Sequence, residues 1–226
     1  MGYFIIVGIF SLIGMVVSNR LKSKFAHYSN VPLSNGRSGA EVAATMLQYY
    51  GIHDVRIMQG QGMLTDHYNP ATKTVNLSPE VFNGRHVAAA AVAAHECGHA
   101  VQHKNAYAWL QLRSALVPAV NFAAKAQQYL LLFALGAFGL GGSNVLLYLT
   151  IAAFGITTIF SLVTLPVEFD ASNRALAWLN QSGFTRGKEQ EGAKDALWWA
   201  ATTYVVAALS SLVVLLYLII NLTNRD

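Results

Sequence analysis

Charge is scarce in this chain. Only 12% of its 226 residues are Asp, Glu, Lys or Arg, against about 25% in an ordinary soluble domain, while 54% are hydrophobic. Acidic residues are missing altogether from one long stretch, since none lies between Cys97 and Val167. Cysteine occurs once, which excludes an intramolecular disulfide and suits a reducing compartment. The net charge of +4 is spread over several segments, and no basic patch for nucleic acid stands out. There is no internal repeat and no low-complexity tract beyond Ala88–Ala91.

What is present instead is apolar sequence in long runs. Gly2–Ser18 carries no charge, Val145–Val167 is 23 uncharged residues, and Ala200–Thr223 is 24. Ala119–Leu140 is apolar apart from Asn121, Lys125, Gln127 and Gln128. A helix needs roughly 20 apolar residues to cross a bilayer, so these segments predict four crossings, the first at the short limit. Lys125 would lie about 9 Å inside its span, close enough for its ammonium to reach the interface. The first run has no basic residue ahead of it and is followed by Arg20, Lys22 and Lys24, the pattern of an uncleaved anchor rather than a signal peptide.

The basic residues also set an orientation. Nine of the fifteen fall in residues 20–113 and four more in 168–199, which the positive-inside tendency assigns to the cytoplasm. The turn Gly141-Gly142-Ser143-Asn144 and the tail then lie outside. Trp109, Trp178, Trp198 and Trp199 fall near the expected cytoplasmic ends, where amphipathic rings favour the headgroup layer.

Within the cytoplasmic part, His95-Glu96-Cys97-Gly98-His99 is an H-E-x-x-H in a run that predicts one helix. His86–His103 has no Pro, one Gly and Ala at seven positions. Residues four apart share a helix face, so His95 and His99 can close on one metal ion, with Glu96 beside it as a general base. Cys97 points away from that face and reads as small buried filler. Ser38-Gly39-Ala40-Glu41 is a capping box opening a helix with Val42, Met46 and Tyr50 on one stripe, stopped by Gly51. Short strands are expected at His53–Met58, Met63–Tyr68 and Lys73–Leu77, read as a small antiparallel sheet, and Ser78-Pro79 starts a helical turn.

Helix, small sheet, then H-E-x-x-H helix is the order of elements in zincin peptidases. The fold class expected is therefore mostly α and integral to the membrane, with four transmembrane helices and a small α+β zincin-like cytoplasmic domain. Its parts are an anchor (1–18), the zincin-like domain (19–113), a transmembrane hairpin (114–167), a cytoplasmic segment (168–199), and a last helix with a short tail (200–226). An edge strand ahead of the metal helix can pair with an extended polypeptide substrate.

A catalytic zinc normally takes three protein ligands and leaves one position for water. Glu168 is the first carboxylate after the metal helix, and it emerges where the third span returns to the cytoplasm. Asp170 is a weaker candidate on another helical face. Asp66, His67 and His103 are open to structural or catalytic roles.

These residues together resemble the bacterial membrane-bound neutral zinc metallopeptidases of the YugP type. The likeness rests on His95 through His103, on Leu64-Thr65-Asp66-His67-Tyr68, and on Val167-Glu168-Phe169-Asp170-Ala171-Ser172-Asn173-Arg174, and it extends over nearly the whole chain. The family is similar in plan to the HtpX heat-shock proteases and the CAAX prenyl proteases. There the third zinc ligand is a Glu followed four residues later by an Asp. Glu168 matches the ligand, but position 172 is Ser, which leaves the partner of a zinc histidine open, with Asp170, Ser172 and Asn173 as candidates.

The resemblance implies a zinc endopeptidase in a bacterial inner or plasma membrane, and the distribution of Lys and Arg puts its active site on the cytoplasmic side. Zn²⁺ would sit on His95, His99 and Glu168, Glu96 would move the proton, and His67 and Tyr68 are nominated to hold the oxyanion. Three other readings fit the sequence less well. An intramembrane site-2-type protease carries its motif within a span, whereas Arg85 and Lys104 flank this one. A metal transporter needs ionisable groups inside its spans, and the third and fourth have none. A non-catalytic protein with a structural zinc would have no need of Glu96.

Overall fold

The computed structural model describes residues 2–134 and 144–223. The described chain is mostly helical: α1 (Gly2–Ser29), α2 (Gly39–Tyr49), β1 (Arg56–Gln59), β2 (His67–Asn69), β3 (Thr74–Leu77), α3 (Pro79–Asn83), α4 (Val87–Lys104), α5 (Ala108–Ala134), α6 (Asn144–Gln181) and α7 (Lys188–Thr223). It divides into two compact units, one of Met1–Val16, Gln111–Leu165 and Thr203–Asp226, the other of Val17–Leu110 and Pro166–Thr202.

Three of the described helices are long and apolar enough to cross a membrane: α1, α6 and α7. The expected second crossing, Ala119–Leu140, and the turn Gly141-Gly142-Ser143 lie partly or wholly outside the described residues, as does the tail Asn224-Arg225-Asp226. In the first unit, Leu147, Val214 and Leu218 form a small buried cluster, and many larger apolar side chains remain exposed.

The second unit has an ordinary inward-facing core. Ser38 caps α2 with the full capping box: its Oγ accepts from Glu41 N, and Glu41 Oε2 accepts from Ser38 N at 2.8 Å. The stripe expected on α2 is buried at Val42 and Met46, with Ala43 and Leu47 widening it. Each such Val, Leu or Met contributes roughly 1.5–3 kcal/mol by leaving water. Around it pack Val75 and Leu77 of β3, Val81 of α3, and α4.

The sheet is mixed, which corrects the antiparallel expectation. Its order is β1-β3-β2, with β1 parallel and β2 antiparallel to β3. The glycines after β1 do not close a hairpin. Gly60 N donates to Leu77 O at 2.7 Å, extending the β1–β3 ladder. Gly62 (φ 85°) and Leu64 (φ 55°) then turn the chain through left-handed conformations, and β2 forms only from His67, on the other side of β3.

Trp178 is the second correction. It is 1% exposed and packs in the core against Tyr49 and Phe184, with ring centroids at 6.5 and 4.9 Å, so it is no headgroup residue. Trp109 and Trp198 are exposed.

Candidate metal centre

Helix α4 starts one residue later than the sequence predicts, on an unexpected cap. His86 Nδ1 accepts from Ala89 N at 3.1 Å. Burial lowers the His86 pKa, against the pull of Glu80, and so favours the neutral ring that can accept. The alanines Ala88–Ala91, Ala93 and Ala94 are all buried, so α4 is enclosed on nearly every side. Its far end is tied down by Lys104 Nζ, which donates to Tyr50 O and Gly51 O at the end of α2.

Close approach by α6 is possible because position 98 is Gly. A Cβ there would meet Ala171 O at 2.6 Å, closer than real contacts allow. With α6 that near, Glu168 comes up against the two histidines. Its Oε2 lies 3.3 Å from His95 Nε2 and 3.7 Å from His99 Nε2. One ligand atom from each of His95, His99 and Glu168 falls within 4.8 Å of the others.

The donor set suits a metal ion. Glu168 is 3% exposed, and its Oε2 has no hydrogen-bond partner although it is buried. A buried carboxylate oxygen without a bond is costly unless a cation satisfies it. The far nitrogens of both rings are already engaged: Ser172 Oγ is 3.1 Å from His95 Nδ1, and Gln102 Oε1 is 3.0 Å from His99 Nδ1. Both Nε2 atoms are left facing the carboxylate. Two neutral imidazoles and one carboxylate match the make-up of a catalytic zinc site with an open position.

Glu96 is also buried, at 7% exposed. Burial raises its pKa above the ordinary carboxylate range; His95 and His99 pull it back, and Glu168 and Asp66 add to the rise. His99 is held above its ordinary value: burial opposes the cation, but Glu168, Glu96 and Gln102 outweigh it. Cys97 is enclosed, its Sγ directed to Ala43 O at 3.6 Å and its pKa pushed up by burial, which leaves it an inert thiol.

The other nominated residues have partners of their own. His67 is exposed, with Nδ1 on Thr65 O at 2.8 Å and Nε2 3.3 Å from Asn76 Nδ2. Tyr68 Oη bonds His103 Nδ1 at 2.8 Å, lining a cavity of about 310 Å³ with Asp54, Lys73 and Lys104. Burial and the nearby Asp54 push the Tyr68 phenol up to about 12, so it stays a donor. Asp66 accepts from Ser78 N at 2.7 Å and from Ser78 Oγ at 3.1 Å. Asp170 faces Gln102 and Arg174, and neither it nor His67 joins the cluster.

Sequence reasoning missed Gln102 and Gly98. A Gly inside an Ala-rich helix costs about 1 kcal/mol relative to Ala, and that cost was the available signal for a close neighbour.

A largely buried cluster of two histidines from an H-E-x-x-H helix and one Glu from α6, in a chain whose described residues include three long apolar helices, has the composition of a membrane metallopeptidase. The comparisons agree: residues 3–223 match the family described as "Putative neutral zinc metallopeptidase", and the chain belongs to it. It is 45% identical over 208 residues to a Bacillus subtilis (strain 168) protein named "Putative membrane protease YugP", covering 92% of this chain and 91% of that protein. No solved structure matches.

Proposed function

We propose that this chain is a membrane-bound zinc endopeptidase with His95, His99 and Glu168 as the metal ligands and Glu96 as the general base. The observation that carries the reading is the convergence of two Nε2 atoms on a buried, unbonded Glu168 oxygen beside a buried Glu96. Zinc bound there supplies Lewis acidity, acidifying water and polarising a peptide carbonyl. Glu96, with its proton affinity raised, takes the proton from the attacking water and delivers it to the leaving amine. His95 and His99 stay neutral as ligands, and Glu168 offsets part of the ion's charge. Tyr68 and His67 are the nominated oxyanion donors, and the Tyr68 phenol keeps its proton. A structural zinc would draw a fourth ligand from the protein, and among the described residues the cluster holds three.

The substrate is an extended polypeptide that adds to an exposed edge of the sheet, either β1 or β2. The chain crosses a bacterial cell membrane four times, through α1, Ala119–Leu140, α6 and α7. The excess of Lys and Arg in residues 20–113 and 168–199 puts the catalytic residues on the cytoplasmic side. The small domain is zincin-like in the order of its elements, a helix and a short sheet leading to α4.

Zinc content of purified variants tests the ligand set. Glu168→Ala removes one of three protein ligands and is expected to purify with little zinc. Asp170→Ala is expected to keep it, weakened by about 10–100-fold in affinity. A Glu168→Ala protein with a full complement of zinc would refute the assignment.

A further inference from the structure

Gln102 is a polar side chain with no solvent exposure, and the chemistry above gives it no task. Its amide nitrogen donates to Val167 O at 2.7 Å and to Asp170 Oδ2 at 2.8 Å. The carbonyl can only accept, and so can the Asp170 carboxylate, which is paired with Arg174 Nε at 2.6 Å. Two acceptors on one side settle which way the amide points. Its Oε1 must face His99 Nδ1, 3.0 Å away.

An amide oxygen has no proton to give. Nδ1 of His99 must therefore carry the hydrogen, which in a neutral ring leaves the lone pair on Nε2, the atom turned toward Glu168. His95 has no such instruction. Its Nδ1 partner is the Ser172 hydroxyl, which rotates and can donate or accept. The two candidate ligands thus differ: one ring has its tautomer imposed by a clamped amide, the other does not.

We infer that Gln102 is a positioning residue that holds His99 with its proton on Nδ1 and anchors that ring to the turn of α6 carrying Glu168. The inference rests on the metal-centre reading for its purpose, though not for its geometry. Gln102 does this with an amide from α4 and Asp170 behind it. The cost of losing it falls on the metal, since a misoriented or wrongly protonated imidazole binds poorly.

The full chain, purified in detergent, tests this in two ways. Zinc affinity, measured by competition with a chromophoric chelator, is expected to fall about 10–100-fold in Gln102→Met, which keeps the volume but not the amide. Ser172→Ala is expected to weaken zinc less. In ¹⁵N-histidine NMR spectra, wild-type His99 should show an Nδ1 proton protected from exchange, and Gln102→Met should lose that protection. A folded Gln102→Met with unchanged zinc affinity overturns the inference, as does a wild-type His99 lacking a proton on Nδ1. If Gln102→Met fails to fold, Gln102→Leu and the wild-type Nδ1 signal still decide. If the wild type takes up no zinc, the metal centre fails, while the Nδ1 proton continues to test the clamp.

Discussion

In the unit of Val17–Leu110 and Pro166–Thr202, the polar side chains Glu96, His99, Gln102 and Glu168 are buried among small apolar neighbours. In the unit of Met1–Val16, Gln111–Leu165 and Thr203–Asp226 the large apolar side chains face outward: Phe4, Leu12, Val145 and Phe122 are 64, 63, 66 and 77% exposed. Their hydrogen bonds differ in reach, although Gln127 Nε2 of the apolar unit donates to α6, to Ala153 O at 2.9 Å and Thr157 Oγ1 at 2.7 Å. Thr150, Ser161 and Thr164 in the apolar unit bond back to carbonyls four residues earlier on their own helix. In the other unit Gln102 and Ser172 bond across 65 to 77 residues of chain. Side chains satisfied within one helix suit a surrounding that offers no partners, as lipid does. Bonds between elements specify one arrangement of those elements, which a catalytic site requires.

The comparison is sharpened by substitutions whose cost depends on which unit they strike. Trp178→Ala empties the most bulky site of the inward-facing core and is expected to destabilise by about 3–5 kcal/mol, read from denaturant or thermal unfolding in detergent. Gly98→Ala drives a methyl onto Ala171 O, with an expected cost of about 1–3 kcal/mol and a drop in zinc affinity as Glu168 is pushed away. Phe122→Ala, on the outward-facing surface, should change stability by less than about 0.5 kcal/mol. A large cost at Phe122 beside a small one at Trp178 would break the distinction between the two units.

Cysteine labels give the smallest perturbation and a direct view of orientation. Labels at Ser143 and Asn224 are expected to react on intact cells, and labels at Ser38 and Gly187 only after lysis. The reverse pattern would put the proposed catalytic residues outside the cytoplasm.

Much of this was legible in the sequence because its signals are local. The capping box at Ser38 spans four residues, the H-E-x-x-H pair is one helical turn, and the apolar runs declare themselves by length. Glu168 was reachable because the stretch from Gly98 to Pro166 has no other carboxylate. The rest depended on pairings distant in the chain. Whether Ser172, Asp170 or Asn173 would serve the histidines could not be read from spacing; Ser172 bonds His95, and Asp170 acts on His99 only through Gln102. Trp178 looked interfacial because its position near a span was visible and its partners Tyr49 and Phe184 were not. The mixed sheet was hidden by Gln59-Gly60-Gln61-Gly62, whose glycines read as a hairpin turn but lead into a crossing.

Proteolysis by Glu96→Gln, assayed on a casein-like substrate with zinc content measured on the same sample, tests the central claim most directly. Glu96 stands beside the three proposed ligands and is not one of them. The variant should therefore hold about one zinc per chain and cleave nothing, because its amide cannot take the proton from water. Cleavage at the wild-type rate by a zinc-loaded Glu96→Gln protein would contradict the mechanism.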